Sequence, residues 1–284
     1  MSYDYQTLKV QRDGHILNVV IDNPPVNVMT MELYMDLLNF SAEAEKDESV
    51  KVIVLDSADP DFFIAHFDVE VLLALPVDGP AERESEPNLF HQMCERMRTM
   101  PKATIVKLAG RVGGGGSEFS ASCDMRFGIT GKTRVNQMEV ALGILPGGTG
   151  TQRLPRLVGR GRAMEIVLGS DDIDAETAEK WGYLNRVFES REELDKFVDR
   201  LAARIAAWPA EAIALAKQSV NNAELPLAEG LVEEAYLFQQ TLRTDDARKS
   251  MQRAMELGAQ TREGELMIGE LCLQVAKSLE EDQS

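Results

Sequence analysis

The chain has 284 residues, 44% of them hydrophobic, with 47 acidic against 30 basic side chains and a formal net charge of −17. That length suits one large domain or one domain with an appendage, and the charge argues against nucleic-acid binding, which draws its affinity from a basic stripe. No apolar run reaches the roughly eighteen residues of a membrane span; three scattered cysteines, Cys94, Cys123 and Cys272, without a C-x-x-C spacing, suit a reducing compartment, the cytoplasm. The first residues lack a basic or apolar leader and read as mature sequence.

Tyr5–Gln11 and Ile16–Ile21 flank Asp13-Gly14, and Asp-Gly between two apolar-rich runs predicts a hairpin. Asn23-Pro-Pro-Val-Asn27 breaks the sheet. Thr30 is placed to cap a helix running to about Glu45, with Met31, Tyr34, Leu37, Leu38 and Ala42 on its apolar side. Val50–Leu55, apolar and flanked by charge, predicts a buried strand, and Phe62–Val69 is a second apolar stretch. Three prolines and four carboxylates between Leu75 and Leu89 mark Pro76–Pro87 as a surface excursion. Phe90–Met100 predicts a helix, Thr104–Ala109 and Asp124–Ile129 strands, and Arg160–Leu168, Ala175–Trp181 and Glu192–Ala207 helices. From Pro209 three or four helices are expected, with Leu279–Ser284 acidic and frayed. The pattern predicts an α/β core over 1–205 and a helical part over 206–284.

Arg111-Val-Gly-Gly-Gly-Gly-Ser-Glu118 lies between a predicted strand and a helix expected over Ser117–Ser122. Glycines there let a ligand approach backbone N–H groups, and a helix N-terminus favours a negative charge, bound or developing. Glu118, read alone, is an ordinary first-turn charge, and Glu139 an ordinary solvated loop residue. Several motifs fail. Gly-x-Gly-x-x-Gly is absent, the P-loop pattern before Gly131-Lys-Thr133 meets Arg126, and Gly-x-Ser-x-Gly ends on Phe119. His15, His66 and His91 form no zinc-protease motif and no metal site is expected; His15 and His91 are expected to be solvated.

Taken together, Pro101–Gly110 with Gly114-Gly-Gly-Ser-Glu118, Val135-Asn-Gln-Met-Glu139 with Leu142–Leu154, Asp174–Gly182, and Asn23-Pro-Pro-Val-Asn27 resemble the enoyl-CoA hydratase/isomerase (crotonase) superfamily over roughly residues 6 to 225. The resemblance implies a spiral of strand-strand-helix units, two sheets stacked nearly at right angles, and a C-terminal helical region that builds homotrimers or dimers of trimers. It implies an acyl-CoA thioester as substrate, in fatty acid metabolism, with no cofactor beyond the coenzyme A of the substrate itself. The thioester oxygen would sit in an oxyanion hole between the N–H groups of Gly115 and Phe67. Glu118 and Glu139 would share one water in a syn hydration. Ala65, His66, Asp68, Gly114 and Gly147 would border the substrate.

Some positions depart from that pattern. The family's small pair is His66-Phe67 here, which suggests a pocket wall without chemistry at His66. Glu70 stands where many members carry a lysine for the CoA phosphates, a contact that Lys107, Lys102 or a basic residue of another subunit would then supply. Thr244–Lys249 only partly matches the family's C-terminal segment, and an extra helix over Glu263–Leu279 is expected to serve packing or assembly. Two other readings stand beside hydration. One is a Δ3,Δ2-isomerase or other enolate chemistry that needs one glutamate; the other is an acyl-CoA-binding paralogue without turnover.

Overall fold

In the computed structural model, which describes residues 3–76 and 78–281, the Asp13-Gly14 signal closes a hairpin. Strand β1 (Leu8–Asp13) pairs antiparallel with β2 (Ile16–Ile21), and Gly14 takes the positive φ of 54° that the turn requires. Helix α1 (Met31–Lys46) starts at Thr30, whose side chain accepts from the Leu33 N–H. Its buried face is Leu33, Tyr34, Leu37, Phe40, Ser41 and Ala44. Met31 is 44% exposed, contrary to the sequence reading; it stands two residues before Leu33 and so nearly opposite it on a helix of 3.6 residues per turn.

The chain continues through β3 (Val52–Ser57), β4 (Phe62–Ile64), α2 (Val69–Leu73), α3 (Leu89–Thr99), β5 (Ala103–Leu108), β6 (Arg111–Gly113), α4 (Gly114–Ala121), β7 (Met125–Ile129) and β8 (Arg134–Asn136). Next come α5 (Gly150–Val158), α6 (Arg160–Gly169), β9 (Ile173–Asp174), α7 (Ala175–Trp181), β10 (Arg186–Phe188) and α8 (Arg191–Ala206). One sheet runs β1-β2-β3-β5-β7-β10 and is parallel beyond the hairpin in its assigned pairs; the other runs β4-β6-β8-β9. The second sheet's strands have two or three residues, too few to show alternation, so the sequence does not announce them. Helix α5 was also missed, because Pro155 sits inside it. Residues 78–88 are exposed, as expected of a surface excursion; Val77 lies outside the described residues.

Helix α4 is buried at every position. Its C-terminal carbonyls therefore need protein donors. The fully buried side chain of Arg126 on β7 supplies them, donating from Nη1 to Ser120 O at 3.2 Å and to Cys123 O at 2.7 Å. Its Nε donates to Tyr183 O at 2.7 Å, and the Tyr183 hydroxyl lies 3.0 Å from both Ser117 Oγ and Ser120 Oγ. The helix that begins at the glycines is thus gripped from its far end.

Apart from Ala103 of β5 and the end of α8 from Arg200, these elements belong to one compact unit, residues 3–100 and 104–199 as described; Pro101–Ala103 with the chain from Arg200 onward make a second. Beyond α8 the second unit holds α9 (Ala210–Asn221), α10 (Leu227–Thr241), α11 (Asp245–Glu256), α12 (Arg262–Leu266) and α13 (Ile268–Glu281), more helices than the three or four expected. The expected single extra helix is broken at Met267. Helix α13 stays helical through Glu281, where fraying was expected; residues 282–284 lie outside the described ones. Leu271, Val275 and Ala276 are its buried residues. No helix among the described residues is long and apolar enough to cross a membrane.

Candidate active site

Helix α4 starts at Gly114, inside the glycine run rather than after it. Glu118 therefore lies beyond its first turn and does not serve as a charge on its own helix N-terminus. Its carboxylate serves another helix. Oε1 accepts from the backbone N–H groups of Gly148 at 2.8 Å, Thr149 at 2.9 Å and Gly150 at 2.7 Å, at the start of α5. Aiming three N–H groups at one oxygen holds Thr149 at φ 152° and ψ −10°. That backbone costs a threonine about 1–3 kcal/mol. Oε2 takes part in none of the three bonds.

Glu139 is no solvated loop residue: it is 8% exposed. The Nε2 of fully buried Gln137 donates to Glu139 Oε1 at 3.1 Å and Oε2 at 3.0 Å. Gly114 has φ 46°, and a Cβ there would meet Glu139 Oε1 at 3.0 Å and His66 Cβ at 3.2 Å. A glycine at this place lets both side chains close over the start of α4. His66 Nδ1 lies 2.8 Å from Phe67 O. A carbonyl only accepts, so that nitrogen carries the proton.

Two N–H groups meet beside these carboxylates. The neighbours of Phe67 are engaged with Met29: Met29 N donates to His66 O at 2.8 Å and Asp68 N to Met29 O at 3.1 Å. In such a parallel bridge the N–H of Phe67 itself faces the other way. The N–H of Gly115 belongs to the first turn of α4, where no helical carbonyl precedes it. A Cβ on Gly115 would lie 3.6 Å from Phe67 N. Among the described residues neither N–H is bonded to an acceptor. Gly113 and Gly116 answer to packing: a Cβ would meet Ala65 O at 2.5 Å and Ile64 O at 2.6 Å.

The remaining sequence-stated positions divide. Ala65 is buried beside Gly113. Asp68 caps α2, its Oδ1 accepting from Glu70 N at 2.9 Å. Gly147 is exposed, and its carbonyl accepts from His91 Nε2 at 2.7 Å, so His91 is anchored rather than merely solvated. The glycine that borders the carboxylate is Gly148, where a Cβ would meet both Glu118 Oε2 and Phe90 Cε1 at 2.5 Å. Gly148, Gln137 and Phe90 were not singled out from the sequence; Gln137 and Gly148 lay within quoted motifs, and Phe90 gave no signal. Lys107 cannot serve a distant phosphate as suggested. Its ammonium is held by Asp195 at 2.8 Å and Asp199 at 3.3 Å, and Lys102 is buried.

Burial pushes the Glu118 carboxyl above the ordinary carboxylate range, outweighing the N–H groups of Gly150, Thr149 and Gly148; the charge of Glu139 adds to the rise. Burial likewise raises Glu139, against the Gln137 amide and His66. Both thus move toward the range where acid/base transfer near neutrality is efficient. Nearby Cys94 is pushed up to about 12, chiefly by burial, which leaves its thiol without thiolate chemistry. The raised Glu118 value has a cost in stability. The folded state holds the proton more tightly than the unfolded chain, so stability is lost as pH rises above the unfolded value of about 4.3. Glu118→Gln removes that loss. Its melting temperature is expected to exceed that of the wild type by more at about pH 8 than at about pH 4; an equal difference at both pH values would contradict this.

The family model for enoyl-CoA hydratase/isomerase matches residues 11–262. The chain belongs to the enoyl-CoA hydratase/isomerase family. The short-chain-enoyl-CoA hydratase of Clostridium acetobutylicum is 28% identical over 249 residues, 87% of this chain and 94% of that protein. The crystal structure of a candidate enoyl-CoA hydratase from Streptomyces avermitilis is 39% identical, with a TM-score of 0.69 over 96% of this chain and 100% of that one. The enoyl-CoA hydratase structure from Bacillus anthracis gives a TM-score of 0.79 at 25% identity, covering 88% of this chain and 96% of that one. The α/β architecture is thus the crotonase fold of this family.

Proposed function

We propose that this chain hydrates a 2-enoyl-CoA to a 3-hydroxyacyl-CoA. The observation that carries the reading is the pair of buried carboxylates, Glu118 and Glu139, each held by donors and each shifted upward. The thioester oxygen would accept from the Gly115 and Phe67 N–H groups and gain negative charge as the enolate forms; one such donor is worth about two to three powers of ten in rate. One carboxylate takes a proton from water as its oxygen bonds Cβ, and a proton reaches Cα through the other. Water is thereby added across the double bond with no further reactant. Ala65, His66, Asp68, Gly114 and Gly147 border this substrate in our reading. A net charge of −17 repels an anionic CoA at long range, so its binding rests on local donors.

The reading extends to assembly and place. Leu227, Leu231, Val232, Tyr236 and Phe238 on α10 are between 53% and 78% exposed. Two further copies of the chain would cover them, in a homotrimer or a dimer of trimers, which sedimentation would resolve. The free cysteines suit the cytoplasm. Loss of the conjugated absorbance of crotonyl-CoA tests the activity itself. Disappearance at enzymatic rates supports hydration. No turnover of short and medium enoyl-CoAs by the folded protein sinks it, and moves the reading to isomerisation or to binding alone.

A further inference from the structure

Three rings meet beside the candidate site, two from helices and one from the segment between β4 and α2. Tyr34 of α1 stacks on Phe90 of α3 with centroids 5.8 Å apart and planes at 21°. Phe67 meets each of them edge-on, at 6.1 Å from Tyr34 and 6.1 Å from Phe90. Each ring therefore touches the other two, and moving one breaks two contacts.

Phe90 has the position that matters. A Cβ on Gly115 would lie 3.7 Å from its Cζ, next to the N–H pair. A Cβ on Gly148 would lie 2.5 Å from its Cε1 and 2.9 Å from its Cδ1, next to Glu118 Oε2. One ring thus lies beside both the start of α4 and Glu118 Oε2. The first turn of α3 is fixed at both sides of it. Asn88 caps the helix by accepting from His91 N at 2.9 Å, and the His91 side chain donates to Gly147 O at 2.7 Å. The ring cannot swing aside without loosening this turn or the aromatic trio.

We propose that Phe90, backed by Tyr34 and Phe67, is the specificity-determining residue of this site and restricts the acyl group to short chains. The proposal rests on the reading of the site as an acyl-CoA site. A short planar enoyl group lies along the ring, whereas a longer chain has to displace it from its two partners. Apolar walls of this kind discriminate by about tenfold or more per misfitting group.

Titration calorimetry with butyryl-CoA and decanoyl-CoA tests this without turnover, because saturated thioesters cannot be hydrated. The wild type is expected to bind butyryl-CoA at least about tenfold more tightly than decanoyl-CoA. Phe90→Ala is expected to bring decanoyl-CoA up by about tenfold and to change butyryl-CoA by much less. Phe90→Leu, which keeps apolar bulk on α3, falls between them and serves if the alanine variant does not fold. Wild-type binding that ignores chain length overturns the proposal, as does an equal shift of both ligands in the variants. The two readings fail differently. Selective butyryl-CoA binding with no hydration of crotonyl-CoA leaves the wall standing and removes the hydratase, while no binding of either thioester by the folded wild type overturns both.

Discussion

Glu118→Gln and Glu139→Gln are each expected to lower kcat for crotonyl-CoA hydration by about three powers of ten, within the range that positioned acid/base groups contribute. Glutamine keeps the size and shape of each side chain. At position 118 an amide oxygen can still accept from Gly148, Thr149 and Gly150, so the start of α5 stays capped. At position 139 the partner is Gln137, whose Nε2 can still donate to an amide oxygen. What both variants lose is a group that can take up or give away a proton near neutral pH. KM should move little, because neither carboxylate has to hold the coenzyme. Butyryl-CoA binding measured alongside shows that the site is intact. The double variant should be little slower than either single one, since the two groups act on one water and their effects do not add. If one variant keeps nearly full activity, the two-carboxylate mechanism is wrong and chemistry on a single glutamate replaces it.

Gly148→Ala should lower kcat/KM by about two powers of ten, the typical result of misplacing a reacting group by an ångström. The backbone at Gly148 is not in the positive-φ region, so the residue is glycine for space rather than for conformation. The added methyl would stand 2.5 Å from both Glu118 Oε2 and Phe90 Cε1, closer than atoms pack. One of them has to move. Three N–H groups hold Glu118 in place, and the aromatic trio holds Phe90. The same substitution made on Phe90→Ala should cost less, because the ring no longer bounds the gap; a double-mutant cycle measures that coupling. Thermal melting separates this from unfolding. A Gly148→Ala enzyme with wild-type kcat/KM would show that the glycine is not required for space.

The two segments of the candidate site were legible because each is local. Gly114 to Glu118 and Gln137 to Gly150 carry their residue types in short runs, and a resemblance can be recognised in a run. The hairpin at Asp13-Gly14 and the cap at Thr30 were legible for the same reason: a turn or a cap is decided by neighbours in sequence. The face of α1 was legible only in part, since its phase was judged from apolar content and Met31 fell on the wrong side. The rest depended on contacts between distant residues. Helix α4 begins three residues earlier than its composition suggests, because Gly113 and Gly116 pack against Ala65 and Ile64 and the buried Arg126 holds its other end. Glu118 looked like a first-turn charge until tertiary packing set the start of α5 against it. Phe90 carried no local signal, and its place between Gly115 and Gly148 exists only where α3 meets both glycine segments. The sequence by itself determined which groups are available to the site and the family they belong to. Tertiary structure decided which of them touch, because burial, hydrogen-bond saturation and steric room arise between elements far apart in the chain.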